Sequence, residues 1–413
     1  MGTTPHDDEL ARTIASRVEA LCGFGPDRAP GAPANDEAAV YVYDTLRAAG
    51  VATEILPFEV TGWRHGAARI ELATGGAIAA HPGPFSPAIH AGARLVEVSS
   101  ANELERLDER EAAGGVLLVH GPLAAEQLTP RGYPWYANAE HVAILERIER
   151  LAPAVVVAAT GLNPGTTGAL SPFPLIEDPS FRLPSAYVSE ADGARLVSSA
   201  GETVGIVVDS ERFEATGAQP VGRLAAASGD AAGRVLVTSH LDTKHDTPGA
   251  LDNATGVAVM LAVAELLAEE PPPRHDVEFI AFNGEDHAEY AGEIAYLYAY
   301  PETGDIALVV NIDGAGLAGG PCAVSRYNLP AEHDALVESA LAQTDGVIDG
   351  EPWLASDHAI FAMRGVPALA ITSADMVTAF STITHTAADV PDIVDSSVLA
   401  EAARLIARVV SSL

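Results

Sequence analysis

Five residues in the second half of the chain have side chains that could together hold metal ions. They are His240, Asp252, Asp286, Asp313 and His385. Nitrogen and oxygen donors of this kind bind Zn²⁺, and five of them suffice for two ions that share one bridging carboxylate and keep a water. Two ions about 3.5–4 Å apart can lower the pKa of that water and stabilise the oxyanion on an attacked carbonyl. The residue types therefore predict a metal centre that activates water.

Two further acids suit supporting roles. Glu285 directly precedes Asp286. A carboxylate that lies beside the water without binding the metal can take its proton and return it to a leaving amine. Asp242, two residues after His240, can accept a hydrogen bond from the imidazole and fix its tautomer. We expect Glu285 to be the general base and Asp242 to orient His240.

Most of these residues follow predicted strands. Strands are predicted at 235–238, 277–282, 308–312 and 368–372, and helices at 257–268, 332–343 and 396–410. We expect Thr255 and Ser396 to cap the first and last of these helices. The alternation favours an α/β fold with a mainly parallel central sheet flanked by helices. Because sites gather beyond the carboxyl ends of parallel strands, the polar residues after these strands are expected to converge.

The rest of the chain indicates an insertion. Helical periodicity at 7–22 and 35–49 precedes a region, 66–214, of short β-like runs between turns rich in proline and glycine. We therefore expect a discontinuous catalytic domain, 1–65 with 215–413, and an inserted small β-rich domain at 66–214. A chain of 413 residues that is 48% hydrophobic can bury the large core that this organisation needs.

Charge and composition limit the partners. A net charge of −34 argues against nucleic acid, which requires clustered Lys and Arg. The polar N-terminus shows no signal peptide, and no apolar run approaches the length of a membrane span. We expect a soluble, cytoplasmic protein without a membrane partner. Cys22 and Cys322 cannot form a disulfide framework. The sequence leaves the oligomeric state open.

An ordered set of motifs resembles peptidase family M28, the co-catalytic zinc aminopeptidases. The segments that carry the resemblance are His240-Leu241-Asp242, Gly249-Ala250-Leu251-Asp252-Asn253-Ala254-Thr255-Gly256, Ala281-Phe282-Asn283-Gly284-Glu285-Asp286, Asn311-Ile312-Asp313, Ser356-Asp357-His358, Gly365-Val366-Pro367-Ala368 and His385-Thr386-Ala387-Ala388-Asp389. The resemblance covers 1–65 and 215–413. It implies a zinc exopeptidase fold of the phosphorylase/hydrolase-like type and an aminopeptidase that acts on peptides.

The resemblance also implies how the residues divide between two zinc ions. His240 and Asp313 would bind one ion, Asp286 and His385 the other, and Asp252 would bridge them, with Glu285 as general base. The chain departs from the family at Asp286, where Glu is more common. The shorter side chain would place or hold the second ion differently. The region 66–214 resembles a protease-associated domain, which would form a lid or substrate-selecting wall.

Several polar residues near the motifs have two interpretations. Each could contact substrate or support the site, or could instead be a rim or capping residue: His245, His287, Arg326, Tyr327, Asp357, His358, Asp389 and Asp392.

Other functions remain alternatives. Gly314-Ala315-Gly316-Leu317-Ala318-Gly319 matches a dinucleotide-binding pattern, but Gly320-Pro321 would interrupt the helix that such a site needs. No G-x-S-x-G or H-E-x-x-H sequence is present. A carboxypeptidase or another amide hydrolase could use the same metal centre. A non-catalytic binding module would be expected to lack some ligands or the base.

Overall fold

A computed structural model describes residues 5–132, 138–162, 171–227, 233–287 and 289–413, with side chains from Glu9 onward. The chain forms two compact units. The larger, which we call the catalytic unit, comprises Met1–Val60 and Thr216–Leu413, and the smaller, the inserted unit, comprises Thr61–Ala215. The inserted unit therefore begins and ends near the sequence-based boundaries of 66 and 214.

The secondary structure is as follows. The strands are β1 (Ala52–Glu71), β2 (Ala77–Pro82), β3 (Ile89–Val98), β4 (Val116–Val119), β5 (Val155–Thr160), β6 (Ser185–Ser189), β7 (Thr203–Leu224), β8 (Arg234–His240), β9 (Asp276–Phe282), β10 (Ile306–Ile312), β11 (Cys322–Tyr327), β12 (Val347–Asp349) and β13 (Ala368–Ser373). The helices are α1 (Pro5–Gly23), α2 (Pro33–Ala48), α3 (Ala101–Arg106), α4 (Glu109–Ala112), α5 (Ala139–Leu151), α6 (Glu190–Val197), α7 (Thr255–Glu269), α8 (Ala291–Ala299), α9 (Ala331–Leu341), α10 (His358–Ala362), α11 (Met376–Thr382) and α12 (Ser396–Ser412).

A mixed sheet with a parallel centre forms the middle of the catalytic unit. Its strands lie in the order β7-β9-β8-β10-β13-β11-β12. The four strands from β9 to β13 in this order are parallel, whereas β7 runs antiparallel to β9, and β11, which pairs parallel with β12, runs antiparallel to β13. These central strands are almost wholly buried and rich in Val, Ile and Leu, as expected for a sheet covered on both faces. The predicted α/β fold, a large central sheet flanked by helices, is confirmed.

The strand register brings the carboxyl ends of three strands to one edge. His240, the last residue of β8, pairs with Phe282, the last residue of β9. On the other side of β8, Thr238 pairs with Asn311 of β10. Because the strands are parallel, the segments after Phe282 and Asn311 emerge beside His240, where the sequence predicts convergence.

Helices α1, α7 and α12 form much of the core of the catalytic unit. The sequence predicts all three, but it assigns the wrong N-caps to α7 and α12. Thr255 is the first residue of α7, and its hydroxyl donates to the Leu251 carbonyl instead. The cap of α12 is Asp395, whose carboxylate accepts from the Ser397 amide.

One stretch of the described chain, Ala250–Glu269, is long and apolar enough to cross a membrane by length and composition alone. The prediction that no apolar run approaches the length of a membrane span is therefore wrong. Within this structure, 89% of the stretch's apolar window is buried, because it packs against α1 and α12 in the interior of the catalytic unit.

The inserted unit has its own sheet and its own apolar cores. Strands β3, β4, β5 and β6 are parallel, and β2 pairs antiparallel with β6. Two buried clusters, one centred on Leu117 and Leu145 and the other on Leu118 and Val157, lie within this unit. It also contains helices α5 and α6, which are not among the helices predicted from sequence. Its likeness to a protease-associated domain stays a prediction.

The glycine-rich segment after β10 does not form a nucleotide-binding turn. Gly314 and Gly316 have positive φ values of 64° and 90°, and the segment leads into strand β11. A dinucleotide site needs a helix N-terminus at this point. The structure therefore agrees with the sequence-based argument against an oxidoreductase.

Candidate metal centre

The five predicted ligands come together at the carboxyl edge of the central sheet. His240 ends β8, Asp313 directly follows β10, and Asp286 lies in the loop after β9. Asp252 lies in an irregular helical turn, Ala250–Ala254, that precedes α7. His385 follows α11 and has a left-handed backbone with φ of 60°.

Asp252 lies between the two imidazoles. Its Oδ1 atom is 3.0 Å from His240 Nε2, and its Oδ2 atom is 3.1 Å from His385 Nε2. The carboxylate therefore presents one oxygen to each histidine. This is the geometry that a bridging ligand between two ions requires.

The two remaining carboxylates complete two sets of three donors. Asp313 Oδ1 is 3.4 Å from His240 Nε2, and Asp286 Oδ1 is 2.9 Å from His385 Nε2. Within each set, one ligand atom from every residue lies within 4.8 Å of the others. The sets share Asp252 and divide the other four residues as the family resemblance implies.

The donor atoms fit divalent cations. His240 Nε2 and Asp313 Oδ1 are buried and have no hydrogen-bond partner in the described part of the chain. Leaving buried polar atoms unpaired costs about 1–3 kcal/mol each, which a bound cation would offset. Imidazole nitrogen with carboxylate oxygen is a donor set that suits Zn²⁺. The residues present therefore fit the pair of ions that the sequence predicts.

Asp242 is wholly buried beside the centre, but its main contacts differ from the expected one. The nearest acceptor to His240 Nδ1 is the backbone carbonyl of Asp242 at 3.1 Å, whereas the carboxylate lies 3.7 Å away. The carboxylate instead accepts from the amides of Gly284 at 2.8 Å and Asp286 at 3.0 Å. Asp242 thus orients the imidazole largely through its main chain and holds the loop that carries Glu285.

Asp389 fixes the segment that carries the central carboxylate. Its two oxygens accept from the amides of Leu251 at 2.6 Å and Asp252 at 3.1 Å. Burial, together with the nearby Asp252 carboxylate, raises the pKa of Asp389 to about 7. This placement matches the supporting role that was one of the two interpretations of Asp389.

The turn at Ala250–Ala254 depends on two glycines. A Cβ atom on Gly249 would lie 2.1 Å from Thr243 Cγ2, and φ there is 62°. A Cβ atom on Gly256 would lie 2.4 Å from the Ile312 carbonyl. Asn253 joins the turn to β10 by donating to that same carbonyl at 2.8 Å. The glycines of the motif therefore allow close packing beside the metal ligands.

Arg28 is a supporting residue that sequence reasoning missed. Its guanidinium is completely buried and donates to the carbonyls of Leu21, Leu241, Pro248 and Gly249. It ties the loop between His240 and Asp252 to the end of α1. A buried guanidinium needs many acceptors, and these carbonyls supply them. No local pattern around Arg28 signals this role.

A second missed contact links α2 to the loop after β9. The side-chain amides of Asn35 and Asn283 donate to each other, both at 2.8 Å. Both residues are buried. Asn283 is two residues before Glu285, so this pair helps to place the predicted base.

The ionisable groups of the centre perturb one another strongly. Burial alone would lower the pKa of His240, but the adjoining carboxylates of Asp313 and Asp252 outweigh it and raise that pKa. The same balance raises the pKa of His385 to about 10. Burial would raise the pKa of Asp252, yet the two imidazoles lower it. His240, His385 and Asp252 thus favour their charged states.

Glu285 is half-buried at the edge of the centre. Burial and the neighbouring carboxylates of Asp313 and Asp286 raise its pKa well above the ordinary value. A raised pKa makes a carboxylate a stronger proton acceptor, which suits a general base.

The other polar residues near the motifs are mostly paired within the protein. Arg326 contacts Asp334 at 2.7 Å and Asp349 at 2.6 Å, so its guanidinium is committed to internal ion pairs. His245 contacts Asp27 at 3.0 Å. Two further histidines contact backbone carbonyls: His287 Nε2 is 3.2 Å from that of Thr243, and His358 Nε2 is 2.7 Å from that of Trp353. The Tyr327 hydroxyl accepts a hydrogen bond from the Trp353 amide. Asp392 lies in a 3₁₀ turn, Pro391–Ile393.

Comparison with curated proteins finds short matches to peptidases named for the endoplasmic reticulum or the vacuolar membrane. The chain is 34% identical over 110 residues to endoplasmic reticulum metallopeptidase 1 of Rattus norvegicus, covering 24% of this chain and 12% of the rat protein. It is 27% identical over 146 residues to a vacuolar membrane protease of Yarrowia lipolytica, covering 34% and 14% of the two chains. The matches thus span a small part of these relatives. Their names give no support to the expected cytoplasmic location.

Solved structures share the fold over nearly the whole chain. A zinc aminopeptidase from Bacillus subtilis matches with a TM-score of 0.74 and 19% identity, covering 97% of this chain and 95% of the other. An aminopeptidase from Aneurinibacillus sp. strain AM-1 matches with a TM-score of 0.72 and 19% identity, covering 97% and 93%.

The family comparison covers the part of the chain that holds the centre. Residues 221–410 match the model of peptidase family M28. This span includes both sets of candidate ligands, and the family suggested by the sequence motifs is confirmed. The region of this protein that carries the candidate metal centre belongs to peptidase family M28.

Proposed function

We propose that the protein is a zinc-dependent exopeptidase, and specifically an aminopeptidase, with two ions held between His240, Asp252, Asp286, Asp313 and His385. The position of Asp252 is the strongest support for this proposal. Asp252 offers one carboxylate oxygen to each of two histidines, and each histidine has a further carboxylate beside it. This double arrangement suits hydrolysis by a two-ion centre.

The bound zinc would supply Lewis acidity, which activates water and polarises the carbonyl of the scissile peptide bond. The protein supplies the proton transfers. Glu285 accepts a proton from the attacking water as the oxygen attacks the carbonyl carbon. It then returns that proton to the nitrogen of the leaving amine as the C–N bond breaks.

Hydrogen bonds to the residues on either side of Glu285 fix the position of this base. Asp242 accepts hydrogen bonds from the amides on both sides of Glu285, those of Gly284 and Asp286. A proton-transferring group must stay within hydrogen-bond reach of its partner, and a base held by its flanking amides meets that requirement.

The charge of the centre favours a substrate with a free amino terminus. The carboxylates of Glu285, Asp286 and Asp313 are grouped at one edge of the sheet. Bound zinc would offset the charges of Asp286 and Asp313, which leaves the carboxylate of Glu285, bound to neither ion, to attract a free α-ammonium group. Arg326, which could have bound a carboxylate, is committed to Asp334 and Asp349. These facts support aminopeptidase action over carboxypeptidase action.

The proposal is tested by removing the metal and varying the peptide ends. After exhaustive chelation, we expect activity on peptides with a free amino terminus to disappear and to return when zinc is added. N-acetylated peptides of the same sequence should be cleaved poorly, and C-terminally amidated peptides should be cleaved normally.

Each arm of this test can contradict one part of the proposal. Full activity after chelation would exclude the metal mechanism. Cleavage of acetylated but not of amidated peptides would identify a carboxypeptidase. Zinc binding without cleavage of any peptide would favour a binding protein built on this fold.

A further inference from the structure

Glu293 and Asp357 form a pair of buried acids behind the candidate metal centre. Glu293 lies in the first turn of α8, and Asp357 directly precedes α10. Both residues have 0% exposure. Neither is among the candidate ligands, and neither has a part in the proposed hydrolysis.

Apart from the backbone amide of Glu293 itself, each carboxyl group has the other as its polar partner. They lie within hydrogen-bonding reach of one another. In the part of the chain that the structure describes, no side chain of a third residue donates a hydrogen bond to any of their four oxygens. Buried Glu278, by contrast, accepts from Arg223 at 3.2 Å and from the Tyr296 hydroxyl at 2.5 Å. The Glu293–Asp357 pair thus differs from buried Glu278, which has a cationic and a hydroxyl partner.

Two ionised carboxylates cannot remain in contact without compensation. Buried like charges repel strongly, and an isolated buried carboxylate carries a desolvation penalty of several kcal/mol, roughly. One proton resolves both problems, because it turns one acid into a donor and creates a short, charge-assisted O–H···O⁻ hydrogen bond. The pair then carries a single negative charge.

We propose that Glu293 and Asp357 share one proton at neutral pH, and that the pair serves as a positioning element beneath the loop that carries Glu285. The shared proton follows from burial and contact alone. The positioning role rests in addition on the proposed function.

The position of Gly284 connects the pair to Glu285. A Cβ atom on Gly284 would lie 3.3 Å from Glu293 Oε2, so the Glu293 carboxyl packs against this backbone. On its other side, the Gly284 amide donates to Asp242 at 2.8 Å. Gly284 is therefore held between two acids, and Glu285 is the next residue. Displacing Glu293 would shift the loop that bears the proposed base.

The charged groups that face the pair come from three strand ends. They are His240 and Asp242 after β8, Glu285 after β9 and Asp313 after β10. Of these four groups, three are acids, and His240 carries a positive charge when it is protonated. In the metal-free chain, this surplus of negative charge further opposes ionisation of both members of the pair. Burial and these acids raise the pKa of Glu293, and they raise that of Asp357 to about 7.

Infrared spectroscopy of the zinc-loaded protein tests the shared proton directly, because a protonated carboxyl has a C=O band distinct from that of a carboxylate. The near-isosteric variants are Glu293→Gln and Asp357→Asn. We expect each to lose the same single band at neutral pH, because the new amide donates to the remaining carboxylate and removes the need for a proton. The double variant should lose no more than either single variant.

The matched control is Glu278→Gln, which changes another buried acid that has Arg and Tyr partners. It should lose no protonated-carboxyl band. Additive losses in the double variant, or retention of the band in Asp357→Asn, would show independent protonation and overturn the proposal. If the variants do not fold, the wild-type spectrum decides: absence of any protonated-carboxyl band at neutral pH overturns the shared proton.

The positioning role has its own measurement. We expect Glu293→Gln to lower kcat for a free-amino peptide by about 10-fold or more, with KM and zinc content unchanged, as for loss of a supporting contact. An unchanged kcat would overturn the positioning role. A wild-type protein without peptidase activity would refute the proposed function and leave the infrared result intact.

Discussion

At the residue scale, the centre is organised by Asp252. Its carboxylate is the single group common to both sets of donors, and Asp389 holds it through two backbone amides. Each of the other ligands contributes to one set. Changes at Asp252 and at the outer ligands should therefore have different effects on the number of bound ions.

Metal stoichiometry tests this division. We expect Asp313→Asn and Asp286→Asn each to reduce the bound zinc by about one ion per chain, because each removes a ligand of one ion. Asp252→Asn should weaken both ions. Zinc is measured by elemental analysis after dialysis against a weak chelator. Equal losses in all three variants would contradict a bridging role for Asp252.

The base assignment predicts a loss of turnover with the metal retained. Glu285→Gln removes the proton acceptor but leaves every candidate ligand in place. We expect kcat to fall by about 10²–10⁴-fold, the usual contribution of a general base. Steady-state kinetics and zinc analysis on the same sample provide the measurement. The control is Glu332→Gln at an exposed position on α9, and retained activity in Glu285→Gln would refute the assignment.

The raised histidine pKa values predict proton release when zinc binds. The raised pKa values, about 10 for His385, favour protonation of both His240 and His385 at neutral pH in the metal-free protein. Zinc binds neutral imidazole, so these protons must leave, and affinity should rise as pH increases from neutral toward 10. Calorimetry in buffers of different ionisation enthalpy measures the release. Heats that do not depend on the buffer would contradict the prediction.

The sequence predicts the ligands well because each belongs to a recognisable motif, and three of them follow a buried strand. The motifs alone assign His240, Asp286 and Asp313 to one edge of the sheet. Arg28 and Glu293 have no such motif. Their roles depend on burial against segments remote in sequence, and a lone Arg or Glu in a helix or loop is usually a surface residue.

At the scale of elements, the packing of α7 against β10 positions Asp252. Gly256, the second residue of α7, lies against the Ile312 carbonyl, and Asn253 donates to the same atom. The sequence predicts α7 and β10 closely but misplaces the start of α7. The error arises because a Thr before an apolar run resembles a cap, whereas the turn before it has no side-chain cap.

A single methyl group tests this packing. Gly256→Ala should destabilise the protein by roughly 1–3 kcal/mol, because the new Cβ atom overlaps with backbone that cannot easily move. Thermal unfolding gives the measurement. The control is Gly304→Ala, where a Cβ atom would meet nothing within 4 Å. Equal stability of the two variants would show that α7 can move away from β10 at little cost.

At the scale of the whole molecule, the chain builds one unit from two separated segments and the other from one. The inserted unit has two apolar clusters formed entirely by its own residues. The main cluster of the catalytic unit likewise contains no residue of the insert. The sequence indicates this insertion because helical periodicity gives way to short β-like runs between turns. It nevertheless underestimates the helical content of the insert.

Separate cores predict separate folding. A fragment comprising 61–215 should fold alone, because a single continuous segment supplies its cores. We expect native-like circular dichroism and a cooperative thermal transition. The fragment should not bind zinc as the full chain does, since all candidate ligands lie outside it. A fragment without a cooperative transition would show that the insert needs the catalytic unit to fold.

The contacts of Arg28 also set the order of events during synthesis. Its acceptor Leu241 lies 213 positions later in the chain. At typical ribosomal rates of about 5–20 residues per second, this interval lasts about 10–40 s. Throughout that time α1 and α2 lack α7 and α12, the helices against which they pack, and the insert is completed only near its end. The nascent protein thus passes through a stage in which its N-terminal helices are an exposed target for chaperones.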